Sequence, residues 1–515
     1  MTMQPINPMN RRHFLRTAGT AAASSLAFPA ILRAQPASSR RRPNLLVFLP
    51  DQQRADTLVP YGEGRCHAPN LNRLASQSTV FDRCYVTHPV CTPSRSSLLT
   101  GTWPHQNGCI HNNVPLAPQW KTLPEMLGDA AKDYRTAYMG KWHLGDEVFA
   151  RRGFHGWVSI EDLYRQYFST GRDRKTLSDY SKFLLSRGLE PDQDDGSFGR
   201  RMASNLPIEL SKPKFLETHA IEFMERHRRD PFILFVSFLE PHSPYNGPLN
   251  HEHRDDEVEF NATSTRTFGP DIPLRYRLKQ EYMEARFGTT VDDYRPTKRN
   301  YLGLVTLIDR SIGAILGKLD TLGLANDTIV VHTSDHGEMM GDHRLFDKEV
   351  MFDPSARVPY LVRLPGQTRQ HRVAQPVSHI DFVPTMIDLL GAPAHPQCTG
   401  RSHARLTRGD SVPAETIFLQ WSPYPGRERV KEGTTLAAPE AIARGTREST
   451  RTAISPDGWK LNLRDTGEHE LYRLTDDPLE LRNVFGRAES RATTQRLRAE
   501  IESWQSRTAD SLKLA

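Results

Sequence analysis

The chain has 515 residues, 37% of them hydrophobic and 25% charged, with a formal charge of +6. That length exceeds what one ordinary core organises, so at least two packing units are expected. The composition is that of a globular protein and excludes large-scale disorder. Beyond the N-terminus no apolar run approaches the roughly 18 residues of a bilayer span, so no stable membrane anchor is expected.

The N-terminus reads as an address. Arg11-Arg12 is followed by His13-Phe14-Leu15-Arg16 and then by a weakly apolar, Ala-rich stretch to Leu32. This order is that of a twin-arginine signal peptide over residues 1–37, with cleavage regions at Leu32-Arg33-Ala34 and Gln35-Pro36-Ala37. It predicts a periplasmic or secreted protein, the twin-arginine export machinery as a partner, and a step completed in the cytoplasm, because this route carries folded proteins. Residues 1–37 hold four Arg and no Lys or acidic residue, so the charge falls to +2 without them. Nothing in that balance points to nucleic acid.

After Pro43-Asn44, the run LLVFLP (Leu45 to Pro50) ends in Asp51-Gln52-Gln53. A short apolar run bounded by proline predicts a buried parallel strand. Polar residues at its C-terminal end lie where α/β folds place their sites. Ala68 to Ser78 predicts a helix, and CTPSRSSLLTG from Cys91 opens like another. A loop from Trp103 to Trp120 leads to TLPEMLGDAAKDY, read as helix, and to YRTAYMGKWHLG, read as a strand entering a loop. Residues 150–215 are polar and read as an irregular insertion that shapes a substrate pocket. Thr218 to Arg228 reads as helix, and PFILFVSFLEPHSPY as a second buried strand. Residues 246–298 read as charged and irregular. Tyr301 to Leu322 is an amphipathic helix, DTIVVHTSDHGEMMGDH a third buried strand, and VPYLVRLPG from Val358 a further one. After about residue 400 the pattern changes. IFLQW, RTAISPDGWKLNL and HELYRLTDD alternate like antiparallel strands, and Glu489 to Gln505 closes as helix. The expected architecture is α/β. A large, mainly parallel sheet flanked by helices fills residues 43–400, and a smaller α+β subdomain with an antiparallel sheet fills 401–515.

The cysteines are Cys66, Cys84, Cys91, Cys109 and Cys398, with no CxxC pair, which argues against a zinc knuckle or thioredoxin-type site. The odd count leaves at least one thiol unpaired; the state of the others stays open. Three strand ends carry polar clusters: Asp51-Gln52, Glu240-Pro241-His242 and Asp335-His336. Carboxylates on separate parallel strands, beside an imidazole and an amide, suit a divalent cation.

Cys91-Thr92-Pro93-Ser94-Arg95, followed by Leu99-Thr100-Gly101, resembles the C-x-P-x-R signature of the type I sulfatases, in the alkaline-phosphatase-like superfamily. Gly140-Lys141-Trp142-His143, Pro241-His242, Ser334-Asp335-His336-Gly337, Lys348 and the segment from Leu471 resemble further motifs of that family, over roughly residues 43–490. The resemblance implies that a maturation enzyme oxidises Cys91 to formylglycine. A hydrated aldehyde has two hydroxyls on one carbon: one attacks sulfur, and the other re-forms the aldehyde and expels sulfate. It implies that Asp51, Asp335 and His336 hold one divalent cation, with Gln52 as a neutral ligand or near neighbour and residue 91 completing the shell. Asp335 is the candidate proton acceptor, Arg95 holds the hydrate, and Lys141 and Lys348 clamp sulfate oxygens. His143 lies near the hydrate to trigger elimination, His242 is the general acid, and Asn112 lines the pocket. The expected substrate is a sulfated small molecule or glycan.

Two positions depart from the family pattern. Gln52 stands where many members have a second Asp, and His336 where many have Asn. The shell loses a negative charge and gains an imidazole, so Ca2+ is the first choice and Mn2+ the second. The same pattern occurs in relatives that cleave phosphonate monoesters and phosphodiesters, and in some choline-sulfate hydrolases. The pair Lys141 and His143 favours sulfate. A non-catalytic glycan-binding relative is opposed by the intact set of site residues.

Overall fold

All five residues of Asn44–Phe48 are buried, and they form β1. The computed structural model describes residues 42–515 other than Glu63 and Glu428; the expected signal peptide lies outside the described residues. Along the chain follow β2 (Thr79–Tyr85), β3 (Arg135–Gly140), β4 (Gly156–Val158), β5 (Phe232–Ser237), β6 (Thr328–Thr333), β7 (Arg357–Val358), β8 (Tyr360–Arg363) and β9 (His371–Ser378). They make one nine-stranded sheet in the order β4-β3-β5-β1-β6-β8-β2-β7, with β9 beside β2. The run from β4 to β6 is parallel, whereas β8 is antiparallel to β6 and β2, and β7 to β2. This is the expected mixed, mainly parallel sheet.

Strand residues alternate between two cores. On one side Leu46, Phe48, Leu234 and Val330 meet Leu216 and Met224 of the helix Lys212–Arg226 and Val305, Ile308 and Ile312 of the helix Val291–Thr321. On the other, Leu45, Val47, Phe235 and Val331 meet Leu98 and Leu99 of the helix Cys91–Thr100 and Val383 and Met386 of the helix Phe382–Leu389. Burial on both faces explains why these strands are continuous apolar runs.

The later residues form a four-stranded antiparallel sheet of β10 (Ile417–Trp421), β11 (Thr450–Ile454), β12 (Trp459–Arg464) and β13 (Glu470–Arg473). Leu497, Ile501 and Trp504 of the helix Arg491–Thr508 pack on Phe418, Leu461 and Leu463, and Trp103 and Ile380 join this core. Tyr85, Val90 and Met351 likewise pack with Leu419 and Trp421. The small sheet is thus seated on the large one through shared apolar residues.

Three segments differ from expectation. Residues 246–298 contain the helix Leu274–Phe287 and the first turns of Val291–Thr321. Thr290 caps the latter reciprocally with Asp293, and the helix accommodates Pro296 in its second turn. Residues 150–215 contain β4 and helices at Asp179–Ser186 and Arg200–Ser204. TLPEMLGDAAKDY is not one helix: a short helix, Leu123–Met126, gives way to a 3-10 turn from Gly128, whose φ is 56°.

Because β1, β3, β5 and β6 are parallel, their C-terminal ends share one edge. Asp51 follows β1, Lys141 follows β3, His242 follows β5, and Asp335-His336 follow β6. That edge is where an open α/β sheet gathers a site.

Candidate active site

Cys91 is the first residue of its helix and is buried. Pro93 stands third, where a helix needs no backbone donor, so it costs no helical bond. Asn112 Oδ1 accepts the Thr92 N–H at 3.0 Å, and Thr92 Oγ1 donates to the His143 carbonyl at 2.8 Å. Gly101, with φ 66°, ends the helix in the left-handed conformation. The helix therefore has its positive end at Cys91, and its later residues, Leu98 and Leu99, lie in the core.

Donor atoms of Asp51, Cys91, Asp335 and His336 all lie within 4.8 Å of one another, and all four residues are buried. His336 Nδ1 lies 2.9 Å from the Gly337 carbonyl, which makes Nδ1 the donor; Nε2 lies 3.1 Å from Cys91 Sγ. Two carboxylates and an imidazole with its lone pair turned inward fit a divalent cation.

Arg95 underpins this cluster. Its Nε donates to Asp335 Oδ2 at 2.8 Å, Nη2 to Asp51 Oδ2 at 3.1 Å, and Nη1 to the Lys141 carbonyl at 2.7 Å and Ser237 Oγ at 2.9 Å. Arg95 thus grips the two carboxylates directly, and its charge also interacts with Cys91.

Lys141 enters the site through Gly140. A Cβ there would stand 1.8 Å from the Ser237 carbonyl oxygen, and its φ is 113°, so only glycine fits. Lys141 Nζ then lies 2.6 Å from Asp51 Oδ2 and 3.9 Å from Cys91 Sγ. Burial opposes the lysine's charge, but Asp51 and Cys91 more than offset it and raise its pKa. For Asp51 burial opposes ionisation, and Lys141, His242, Arg95 and Lys348 together hold the carboxyl well below its usual range. For Cys91 burial and Asp51 oppose the thiolate, yet Lys141, Lys348 and His336 outweigh them and lower its pKa.

The remaining expected residues divide. Lys348 is buried and bonded to Gln52 Oε1 at 2.5 Å. Gln52, expected at the cation, turns its side chain to Lys348, Tyr245 and Glu338; its backbone N–H donates to Asp335 Oδ1 at 3.1 Å. Its φ of 72° directs it away from its neighbour Asp51. His242 Nδ1 lies 2.8 Å from the Ser243 carbonyl, and burial, Lys348 and Lys141 push its pKa well down. His143 meets Asn113 Oδ1 at 2.8 Å and stacks on Tyr164 at 4.1 Å; it is linked to the Cys91 helix through Thr92. Asn112 holds the start of that helix, and its neighbour Asn113 reaches His143.

A family model described as Sulfatase matches residues 43–392. The chain belongs to the sulfatase family. It is a sulfuric ester hydrolase. It is 30% identical to the uncharacterized sulfatase YidJ of Escherichia coli (strain K12), over 86% of this chain and 83% of that one. It is 24% identical to the N-acetylglucosamine-6-O-sulfatase of Bacteroides thetaiotaomicron, over 92% of this chain and 88% of that one. A phosphonate monoester hydrolase from Silicibacter pomeroyi has the same fold, with a TM-score of 0.73, 21% identity, and coverage of 91% and 96%.

The sulfatase site also depends on residues that the sequence did not single out. Buried Glu338 accepts from Tyr245 at 2.7 Å and from the Gln52 amide, and its other oxygen accepts the backbone N–H groups of Met340 and Asp347. Arg429 pairs with Asp347 and Glu349. This network fixes Gln52, and through it Lys348. Glu338 directly follows the motif Ser334–Gly337, a proximity that was the available signal. The five cysteines are free thiols.

Proposed function

We propose that this sulfatase hydrolyses a sulfate ester of a carbohydrate, after a formylglycine-generating enzyme has oxidised Cys91 and the twin-arginine machinery has exported the folded chain. The observation that carries this reading is the setting of Cys91. It stands at a helix start, 3.1 Å from His336 Nε2 and 3.9 Å from Lys141 Nζ, in surroundings that favour an anion. The thiol stands in for the formylglycine hydrate oxygen. Asp51, Asp335 and His336 would hold a divalent cation, Ca2+ by preference or Mn2+, which when bound polarises the sulfate and favours the ionised nucleophile. Lys141 and Lys348, both kept charged, neutralise the non-bridging oxygens as negative charge shifts. Asp335 takes the proton of the attacking hydroxyl, while Arg95 keeps both carboxylates in place.

His242 is assigned to protonate the leaving alcohol. Its proton sits on Nδ1, facing the Ser243 carbonyl, so Nε2 carries a lone pair. Two lysine charges disfavour a second proton, and the negative charge of a bound sulfate ester opposes them.

The carbohydrate reading rests on a neighbouring cavity of about 580 Å³. Tyr245 and Asp347, which line it, belong to the network that holds Lys348. Tyr282 offers a sugar-stacking face, and Arg286 and Arg427 offer cations for further sulfates or carboxylates. The N-acetylglucosamine-6-O-sulfatase relative supports the same class.

A second reading is phosphonate monoester or phosphodiester hydrolysis, favoured by Gln52 and His336; Lys141 beside residue 91 weighs for sulfate. The first test is peptide mass spectrometry across residue 91, on protein co-expressed with the maturation enzyme. An aldehyde or its hydrate is expected; an intact thiol would overturn the mechanism. An aryl sulfate is then assayed beside an aryl phosphonate monoester, and faster phosphonate turnover by orders of magnitude would replace the first reading with the second.

A further inference from the structure

Away from the Cys91 centre, His67, His253 and Glu257 present donor atoms that all lie within 4.8 Å of one another. We propose that these three residues form a second cation site, built for Zn2+ and not for Ca2+. His253 decides the chemistry. It is 2% exposed, and its Nε2 lies 3.0 Å from Thr306 Oγ1. That hydroxyl donates to the Leu302 carbonyl at 3.2 Å, so it accepts from His253 and fixes the proton on Nε2. The buried Nδ1 is left with a lone pair and no hydrogen-bond partner. An orphaned buried nitrogen calls for a ligand, and the Thr306 bond is the outer contact that orients a metal-binding imidazole.

The other two donors sit beside it. The His67 ring is 4.1 Å from the His253 ring, and His67 Nε2 is 3.8 Å from Glu257 Oε2. Glu252 Oε1, which also receives Arg310 at 2.7 Å, lies 3.9 Å from His67 Nδ1. Two imidazoles and one carboxylate, with His67 half-exposed, make an open N2O set of the kind Zn2+ takes. Ca2+ prefers oxygen alone. A cation here ties the segment before the helix Pro69–Ser76 to the 3-10 turn Asp255–Glu257.

The test uses the full chain in excess Ca2+, titrated with Zn2+ by calorimetry and with Co2+ by absorption, together with thermal unfolding. The wild type is expected to take one further equivalent of Zn2+ and to unfold at a higher temperature with it. His67→Ala and Glu257→Gln should each weaken that equivalent by at least about tenfold, with metal-free unfolding unchanged because both side chains are partly exposed. No further equivalent in the wild type, or equal stoichiometry and affinity in His67→Ala, would overturn the proposal. The readout is binding, so it is independent of the sulfate ester reading.

Discussion

Lys141 Nζ lies 2.6 Å from Asp51 Oδ2, with neither side chain exposed to solvent. The same ammonium faces Cys91 Sγ at 3.9 Å. One lysine therefore holds the carboxylate at the end of β1 and places positive charge beside residue 91. Lys141→Met is expected to lower kcat of the matured enzyme on an aryl sulfate by about 10²–10³-fold, the size of losing one preorganised electrostatic contact. Turnover equal to the wild type would remove Lys141 from the reaction.

Arg95 has a different job. Its guanidinium bridges Asp335 and Asp51, all three side chains being fully buried. Arg95→Met leaves those carboxylates facing each other with Lys141 as their remaining strong partner. Removing one member of a buried ion pair costs about 3–5 kcal/mol. Denaturant unfolding of the unmatured chain should show a loss of that size, and Arg95→Lys should recover only part of it, because an ammonium cannot fork between two carboxylates. A loss below about 1 kcal/mol, the worth of an exposed pair, would mean that the bridge contributes little to the fold.

The contrast between these residues and their neighbours shows where a sequence speaks. Asp51, Cys91, Asp335 and His336 were legible because each sits in a short motif at a strand or helix end. Gln52 was expected as a ligand or near neighbour of the cation; its backbone N–H meets Asp335, but where its side chain turns, with a φ of 72°, was not legible, because a left-handed residue that is not glycine carries no sequence mark. Glu338 and Tyr245 were missed because their partner, Gln52, lies 286 and 193 residues away. In the fold, apolar runs such as Asn44–Phe48 declared themselves. β2 did not, since Asp82 and Arg83 interrupt its apolar pattern, and Pro376 disguised β9. The helix Val291–Thr321 was read from its apolar half alone, because Pro296 and the surrounding charges mask its start.

Glu147 predicts a pH dependence. Its oxygens accept the backbone N–H groups of Trp142 at 2.8 Å and His143 at 2.7 Å, fixing the turn that follows Lys141. Burial nevertheless raises its pKa from the ordinary 4.5 to about 7. The shift is upward, so the fold favours the protonated carboxyl. That contribution is complete below about 4.5 and is lost as pH rises through about 7. Its size is about 3 kcal/mol. Glu147→Gln is neutral throughout and should gain stability relative to the wild type by up to that amount between pH 4.5 and pH 7.5. Denaturant unfolding at both ends of the range measures the slope, which is insensitive to any constant cost of the amide. A stability difference that does not change with pH would show that Glu147 is ionised in the fold.

Arg286 and Arg427 separate substrate recognition from chemistry. Both line the cavity beside the Lys348 network, and both are exposed. Neither contacts Cys91, Lys141 or the buried carboxylates among the described residues, so neither should affect the bond-breaking step directly. On the proposed reading a small aryl sulfate would stay at residue 91, whereas a sugar with a second sulfate or a carboxylate would extend into the neighbouring cavity. The double variant Arg286→Ala/Arg427→Ala should leave kcat/KM for the aryl sulfate unchanged. For a multiply sulfated saccharide it should raise KM by about tenfold or more, the equivalent of about 1.4 kcal/mol of binding, with kcat nearly constant, which is the pattern of lost uniform binding. Raised salt should weaken the wild-type advantage on that saccharide, because exposed charges are screened within about a Debye length. Equal losses on both substrates would place the two arginines in the reaction, and no loss on either would move the saccharide out of this cavity.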